Sequence, residues 1–204
     1  MTARIWDIYD WKGAVEPLPH SAEITAVAFG DGDDVVTTTL SGQVNIWDSS
    51  DENLGQLKGS LECKSDICGG RLKEDRTTSK NSTKNKHFNS ISLSPNSEFM
   101  LAGGNSKNLC LYDVKHRLLL RRFVLTHNRS LDGTLAFLNS KAVRNGEDEE
   151  DSALEEDLPG PKGKADVGKR ITRPAIRVSS VKFSPDGTSF AACTTEGLMI
   201  YSLK

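Results

Sequence analysis

The sequence predicts an all-β fold built from short, repeated antiparallel sheets, and three observations support this prediction. Three stretches of the chain each contain three short apolar runs joined by two tight turns. The stretches recur with the same internal spacing, which indicates a repeat architecture. Each stretch closes on an aromatic residue. We therefore expect similar sheets that cover each other with their apolar faces.

The last copy, residues 177–204, has the clearest pattern. Its first, alternating run ends at Phe183 and turns at Ser184-Pro185-Asp186-Gly187. Pro185 presets φ for the second position of a type I turn, and glycine suits the exit of that turn. Two further apolar runs follow, and the last one leads to Tyr201. This order of runs and turns predicts an antiparallel meander.

Two earlier copies have the same spacing, and a broken fourth copy opens the chain. The closing aromatic follows the end of the first run after 18 or 19 residues in each copy: Phe29 to Trp47, Leu93 to Tyr112 and Phe183 to Tyr201. The broken copy ends at Trp6-Asp7, 41 residues before Trp47. A period of about 40 residues with a closing Trp-Asp is typical of WD-repeat β-propeller blades.

The chain is therefore predicted to form a partial, open WD-repeat β-propeller of about three and a half blades, with long polar insertions. The predicted segments are a remnant blade at 4–18 and blades at 20–58, 88–125 and 177–204. Closing aromatics are expected to fill the gaps between blades, and they are Trp6, Trp47, Tyr112 and Tyr201. Since a closed propeller has about four to eight blades, we expect a fragment, a short isoform or an incomplete gene model of something longer.

Two further expectations concern polar and small residues inside the blades. Many WD repeats carry a hydrogen-bond network from a histidine, through a hydroxyl, to the closing tryptophan. Here the candidates are His20, Thr39 and Trp47, with Ser41 at the position of the usual aspartate. The pair Gly103-Gly104 is expected at a blade turn, where glycine tolerates unusual φ values.

Two polar insertions separate the repeats. Residues 60–87 are mildly basic and are expected to form a loop. Residues 126–176 are expected to contain a short helix near residues 130–138, because leucines recur there at helical spacing. An acidic run at 147–157 should repel itself and stay disordered, and a basic tether at 162–177 should return to the sheet.

The simplest interpretation of both insertions is a solvated loop, and the functional alternative is contact with RNA phosphates. Such contacts would be sequence-independent and salt-dependent, because no aromatic residues are interleaved to stack bases. The candidates for RNA-phosphate contacts are Lys80, Lys84, Lys86, Lys162, Lys164, Lys169, Arg170 and Arg173. Ser152, which lies in the acidic run, is the candidate phosphoacceptor.

Composition limits the function classes. The chain of 204 residues is 36% hydrophobic and 26% charged, as expected for a soluble globular protein, and it has no apolar run or leader that suggests a membrane span or secretion. Cys63 and Cys68 lack a second ligand pair at zinc spacing. The motifs of phosphate loops, serine hydrolases and zinc proteases are absent. We expect no enzyme, no metal, no cofactor and no small-molecule substrate.

Several landmarks of the last two copies are more specific than the general WD pattern. They include Leu101-Ala102-Gly103-Gly104, Leu119-Leu120-Arg121-Arg122-Phe123, Leu158-Pro159-Gly160 and the run from Thr194 to Leu203. With these landmarks the chain resembles the periodic tryptophan protein two family along essentially its whole length. The resemblance implies tandem propellers followed by a helical domain, with this chain corresponding to the last blades of the second propeller.

The resemblance also implies a function. Members of that family are non-catalytic scaffold subunits of the UTP-B subcomplex of the small-subunit processome, which acts with a small nucleolar RNA in pre-rRNA processing. The implied partners are other WD-repeat subunits, and pre-rRNA and small nucleolar RNA by direct or indirect contact, in the nucleolus. The alternative that the residues leave open is a WD-repeat adaptor for another complex, such as a ubiquitin ligase substrate receptor or a trafficking coat.

Overall fold

The structure is a computed structural model that describes residues 1–6, 9, 17–31, 33–50, 53–69, 76, 82–127 and 175–203. The chain divides into two compact units, residues 1–126 together with 175–204, and residues 127–174. All the strands described below belong to the first unit. Except for His127, the second unit lies outside the described residues, and so do the predicted short helix, acidic run and most of the basic tether.

The first unit contains three blades, each an antiparallel sheet whose strands are adjacent in chain order. Blade 1 consists of β3 (Ile24–Phe29), β4 (Asp34–Thr39), β5 (Gln43–Asp48) and β6 (Leu57–Glu62), and blade 2 of β7 (Phe88–Leu93), β8 (Phe99–Gly104), β9 (Asn108–Asp113) and β10 (Leu118–Val124). Blade 3 consists of β11 (Val178–Phe183), β12 (Ser189–Thr194) and β13 (Gly197–Ser202). Before blade 1, β1 (Thr2–Ala3) pairs with β2 (Leu18–Pro19), and α1 (Lys64–Ile67) follows blade 1. The predicted all-β, open partial propeller is confirmed.

The middle strands of blades 1 and 2 are buried on both sides. β4 and β5 bury consecutive residues along almost their whole length, and β8 and β9 do the same. A strand with one face in water would bury only every second residue. The continuous burial of these strands therefore requires cover on both faces of the sheet.

The blades provide this cover by stacking side by side, with β3 next to β7 and β7 next to β11. One hydrophobic core lies between blades 1 and 2 and includes Val36 and Met100. A second lies between blades 2 and 3 and includes Leu101 and Val181. Because successive side chains of a strand point to opposite faces, the neighbours Met100 and Leu101 of β8 enter different cores. One strand thus contributes to both interfaces.

The turn between the first two strands repeats from blade to blade. Its last residue has a left-handed φ in every copy, namely 69° at Gly187, 55° at Ser97 and 54° at Asp33. In blades 2 and 3 this residue also donates its amide to the carbonyl of the first turn residue, at 2.8 and 3.0 Å. Neighbouring turns are connected, because the Asp31 amide donates to Ser97 Oγ at 2.5 Å.

Two serines of blade 2 hydrogen-bond to the backbone of blade 3. Ser90 Oγ accepts from the Val181 amide at 3.0 Å, and Ser92 Oγ accepts from the Phe183 amide at 3.1 Å. Both serines lie on the same face of β7, two residues apart, and both acceptors therefore face β11. These bonds satisfy backbone donors that the sheet hydrogen bonds leave free, and they fix the position of β11 along β7.

The expected position of Gly103-Gly104 is wrong, because both residues lie inside strand β8 rather than at a turn. Neither glycine has a left-handed φ. A Cβ atom on Gly103 would come within 2.7 Å of Val178 Cγ1 and 3.0 Å of Val181 Cγ1. Glycine is therefore needed at position 103 because β11 approaches β8 closely, and not because the backbone adopts an unusual φ.

The structure of residues 57–69 differs from the prediction, which ended blade 1 at residue 58 and placed a polar loop at 60–87. β6 continues to Glu62, and α1 follows immediately, so Ser60–Glu62 are strand residues. The start of the predicted loop also contributes Cys63 and Ile67 to the core between blades 1 and 2. A helix of four residues is too short to produce a recognisable periodicity in the sequence.

We expect the double substitution Ser90→Ala, Ser92→Ala to lower the free energy of unfolding by about 2–4 kcal/mol, because it leaves two backbone donors without their acceptors. Urea denaturation of the whole chain measures the change. Ser180→Ala is the matched control, since Ser180 occupies the position of Ser90 in the next copy but is exposed. Equal stability of the double variant and the control would contradict the proposed contribution of these bonds.

Candidate functional site

Trp47 closes blade 1 and is held by a buried chain of hydrogen bonds. Its indole Nε1–H donates to Thr37 Oγ1 at 3.0 Å, and Thr37 Oγ1 lies 2.8 Å from His20 Nε2. His20 Nδ1 lies 2.9 Å from the carbonyl oxygen of Leu18 in β2. The imidazole and indole rings also contact each other, with centroids 5.2 Å apart. Trp47 therefore ties blade 1 to the strand pair that precedes it.

The directions of these bonds follow from the chemistry of each group. A carbonyl oxygen only accepts, so Nδ1 of His20 donates to Leu18. In the tautomer with its proton on Nδ1, Nε2 accepts from the Thr37 hydroxyl. Thr37 Oγ1 in turn accepts from Trp47. Every polar atom along this path has a partner, which buried polar groups require.

The predicted hydroxyl of this network, Thr39, is wrong, because the structure places Thr37 there. Both threonines lie on the same face of β4. Trp47 pairs with Val35, so Thr37 is two residues from the paired position and Thr39 is four residues from it. Thr39 Oγ1 instead bonds within the β4–β5 turn, to Ser41 Oγ at 2.9 Å and to the Gln43 carbonyl at 2.9 Å. The sequence identified the correct face of the strand and the wrong residue on it.

Asp48, which follows Trp47, stabilises the next turn. Its Oδ1 accepts from the Ser50 amide at 2.9 Å, and this bond is the main reason that the pKa of Asp48 is lowered. Lys58 of β6 lies 3.4 Å from the same oxygen and 2.6 Å from Asp34 Oδ1. The Trp-Asp pair thus has two separate tasks, packing between blades by the indole and turn capping by the carboxylate.

Tyr112 closes blade 2 and is buried against blade 1. Its hydroxyl donates to Asp66 Oδ2 of α1 at 3.0 Å, and Phe88 meets its ring edge-on at a centroid distance of 6.3 Å. Asn108 adds a second link to α1 by donating to the Ile67 carbonyl at 2.8 Å. The helix therefore connects the end of blade 1 to β9 of blade 2.

The thiols of Cys63 and Cys110 are buried near Tyr112. Burial is the main cause that raises the pKa of each thiol from its ordinary 9.0 to about 12. Burial, followed by the neighbouring thiols, also raises the pKa of the Tyr112 hydroxyl far above its ordinary 10.0. All three groups are consequently protonated at neutral pH, so these cysteines are packing residues rather than nucleophiles.

Tyr201 closes blade 3 and packs against aromatic residues on both sides of the second core. Its ring stacks on Phe190 at a centroid distance of 5.1 Å and lies 5.5 Å from Phe123 of β10. Its hydroxyl contacts Met199 Sδ at 3.5 Å. Burial raises the pKa of this tyrosine as well. As with Tyr112, the contacts of the closing aromatic join its own blade to the preceding one.

Trp6 differs from the other three predicted closing aromatics. It forms an isolated bridge after β1 and its side chain is 57% exposed. Its neighbour Ile5, together with Ala3, packs instead against the small core of Leu18, Val35 and Trp47. The packing role predicted for Trp6 stays a prediction.

Only two of the candidate RNA-contacting residues lie in the described part of the chain. Lys84 is exposed in a turn in which Asn85 has a left-handed φ of 58°, and Lys86 is half-buried in the same turn. The Asn105 side chain donates to the Asn85 carbonyl at 2.5 Å and holds this turn against blade 2. Lys80, Lys162, Lys164, Lys169, Arg170, Arg173 and the candidate phosphoacceptor Ser152 lie outside the described residues.

The described residues contain neither a group of three or more histidines, cysteines or acidic residues arranged for a metal ion nor a helix that could cross a membrane. Sequence reasoning missed Asp66 and the Ser90–Ser92 pair. The two serines are two residues apart in a predicted strand, so the sequence could have indicated that their hydroxyls lie on the same face. Nothing near Asp66 indicated its contact with Tyr112, 46 residues away.

Two comparisons with known proteins concern the fold. The family described as WD domain, G-beta repeat, matches residues 78–113, which include β7, β8 and β9. Among solved structures, the Cps50 (Swd1) β-propeller domain of Myceliophteria thermophila covers 91% of this chain and 38% of its own, with a TM-score of 0.49 and 16% identity.

Curated relatives match almost the whole chain. Periodic tryptophan protein 2 of Saccharomyces cerevisiae is 39% identical over 98% of this chain and 23% of its own length. The protein of the same name from Arabidopsis thaliana is 38% identical over 99% and 23%, and the homolog from Mus musculus is 38% identical over 99% and 22%. The chain thus spans less than a quarter of the length of these relatives. The predicted resemblance is confirmed.

Thr37→Val should lower the free energy of unfolding by about 3 kcal/mol, because the Trp47 indole and the His20 imidazole both lose a buried partner. Thr25→Val is the matched control, since the Thr25 hydroxyl forms a single bond to Thr38 in the same blade, at 2.9 Å. Urea denaturation followed by Trp fluorescence provides the measurement. A smaller loss in Thr37→Val than in the control would contradict the assignment of Thr37 to the network.

The stability of the chain should be independent of thiol ionisation below pH 9 and should fall as the pH rises toward about 12. The unfolded chain loses its thiol protons near the ordinary pKa of 9.0, whereas Cys63 and Cys110 keep theirs in the folded chain up to about 12. Raising the pH through this window therefore favours the unfolded state. Urea denaturation on both sides of pH 9 measures the slope.

Cys63→Ala, Cys110→Ala is the control for this pH dependence, and it should lose the thiol contribution while it retains the contributions of Tyr112 and Tyr201. Iodoacetamide provides an independent readout, because the exposed Cys193 should react in the folded chain while Cys63 and Cys110 should react only after unfolding. The same pH slope in the wild type and the double variant would show that these thiols do not contribute.

Proposed function

We propose that this chain, which resembles the periodic tryptophan protein 2 family along nearly its whole length, is a non-catalytic scaffold in ribosome biogenesis. Its blades would support small-subunit pre-rRNA processing within a small nucleolar ribonucleoprotein assembly in the nucleolus. The partners would be other WD-repeat subunits of the small-subunit processome. Pre-rRNA and small nucleolar RNA would be bound directly or through those subunits.

One observation carries the ribosomal part of this proposal. The alignments with fungal, plant and mouse relatives, at 37–39% identity overall, cover 98–99% of the chain and so span the insertions as well as the blades. A general likeness between WD repeats would be limited to the blades, because insertions between repeats are free to vary. A match that also includes the insertions therefore supports a shared role for this segment. The role of the complete relatives is transferred to this chain as a proposal only.

The geometry supports a scaffold. Polar side chains such as Thr37 and Asp66 bond to the closing aromatics and hold adjacent elements together. The buried thiols of Cys63 and Cys110 are protonated and packed. Rigid sheets of this kind present outer strands and turns as fixed surfaces for other proteins.

The proposed function predicts that the tagged whole chain co-sediments with pre-ribosomal particles in a sucrose gradient. The particle fractions should contain pre-rRNA and a small nucleolar RNA, and RNase treatment should shift the chain toward lighter fractions. Ser90→Ala, Ser92→Ala is a useful variant, since loosening of the blade 2–blade 3 interface should reduce incorporation. Ser180→Ala should be incorporated normally.

The alternative class of WD-repeat adaptor makes a different prediction for the same gradient. An adaptor for a ubiquitin ligase or a trafficking coat should sediment with its client complex away from pre-ribosomal RNA, and RNase should not change its position. That result, obtained with correctly folded chain, would refute the ribosomal assignment.

A further inference from the structure

The outer strand of blade 2 has an unusual surface. β10 pairs with β9 on one side only, so the other side is an open sheet edge within the described residues. Leu118 is 60% exposed, Leu120 50% and Val124 52%. Together with Leu119, Arg121 and Arg122, these residues are called the β10 strip here. Exposed leucines and valines clustered on one strand are a mark of an interaction surface rather than of scattered surface residues.

A β-bulge explains why Leu120 projects. Leu119 pairs with Tyr112 and Arg121 pairs with Leu111, so Leu120 has no opposite residue on β9. The extra residue locally bends the strand and turns its side chain away from the ladder. The bulge therefore adds an apolar side chain to the outer surface of the blade.

The surroundings of the β10 strip are basic. The segment from Val114 to Val124 contains Lys115, Arg117, Arg121 and Arg122 and no acidic residue. Arg121 lies over the ring of Phe123, with its guanidinium carbon 5.0 Å from the ring centroid, which fixes the orientation of the charge. No described carboxylate forms an ion pair with Arg121 or Arg122.

The equivalent strand of blade 1 provides an internal comparison. In β6, Lys58 is paired with Asp34 and Asp48, so its charge is neutralised within the blade. Leu61 of β6 is buried in the core to which α1 also contributes. The two outer strands thus occupy the same position in their blades, but only β10 combines exposed apolar side chains with cations that lack a described carboxylate partner.

From these observations we propose that β10 binds an extended, acidic segment of a partner protein, which adds to the open edge of blade 2 as a further strand. Main-chain hydrogen bonds to the edge would align the segment, as in other cases of strand addition. Apolar side chains of the segment would contact Leu118, Leu120 and Val124, and its carboxylates would pair with Arg121 and Arg122. The proposal rests on the scaffold function and specifies the kind of partner that this blade binds.

The chemistry of the strip favours a protein over RNA. RNA-binding surfaces pair cations with phosphates and stack bases on exposed aromatic rings. Here the two arginines directly follow three leucines, which cannot pair with phosphate. The nearby aromatic ring of Phe123 is engaged by Phe190 at a centroid distance of 5.2 Å and is not free to stack a base. An acidic and apolar peptide complements both kinds of side chain.

The test uses the purified whole chain and a fluorescent peptide that alternates leucine with glutamate and is about as long as β10, roughly seven residues. A peptide that alternates leucine with lysine controls for charge, and a single-stranded oligouridine RNA tests the other class of ligand. Fluorescence anisotropy measures binding. The glutamate peptide should bind, and the lysine peptide and the RNA should bind at least about tenfold more weakly.

Two variants locate the binding site. Arg121→Glu, Arg122→Glu should weaken binding of the glutamate peptide by about tenfold or more, and Leu118→Glu, Leu120→Glu should do the same without removing a cation. Leu57→Glu is the matched control, because Leu57 is an exposed leucine on the outer strand of blade 1, 53% exposed. Urea denaturation of each variant confirms that it is folded.

Backbone hydrogen exchange distinguishes strand addition from side-chain contact alone. Amides of residues 118–124 should exchange more slowly when the glutamate peptide is bound, whereas amides of β6 should not change. Absence of binding, equal binding of the two peptides, preference for the RNA, or variants that bind like the wild type would each overturn the proposal. Co-sedimentation with pre-ribosomal particles tests the scaffold function separately, so failure of one does not imply failure of the other.

Discussion

The structure depends on the need to cover both faces of the sheets of blades 1 and 2. The middle strands of blades 1 and 2, such as β4 and β8, bury successive residues, so neither of these blades has a face that it can leave in water. Side-by-side stacking satisfies this need, because one blade covers its neighbour while being covered by the next. Stability therefore resides in the interfaces between blades, and residues such as Met100 and Leu101, which face opposite cores, make the interfaces interdependent.

Apolar packing alone would not fix how far one blade slides along the next, because the hydrophobic effect is not directional. Polar side chains supply the missing direction. Ser90 and Ser92 accept hydrogen bonds from specific amides of β11. Thr37 connects Trp47 to His20, and Asp66 accepts a hydrogen bond from the Tyr112 hydroxyl. The bonds of Ser90, Ser92 and Asp66 join residues 91, 91 and 46 positions apart in the chain. An error in alignment would leave these buried groups without partners, which costs more than the bonds themselves contribute.

Sequence periodicity was sufficient to predict the strands and the stacked arrangement, because alternation and turn residues are local properties of the chain. It identified the face of β4 that bonds to Trp47 but selected Thr39 rather than Thr37, since the exact reach of an indole depends on strand register. It assigned Gly103 to a turn, although the reason for glycine is a valine of the neighbouring blade. The contact of Asp66 with Tyr112 could not be predicted, because it depends on a four-residue helix and on two segments that meet only after folding.

The repeats differ most where packing constrains them least. Inner strands contact the next blade along their length, so a change there must be matched by its neighbour. Among the described residues each outer strand pairs on one side only, and β6 and β10 differ there. Lys58 of β6 forms ion pairs within its blade, whereas β10 exposes leucines and arginines. An open, apolar edge is an aggregation hazard unless a partner covers it. The same freedom that allows outer strands to vary is what allows a blade to acquire a partner of its own without disturbing the stack.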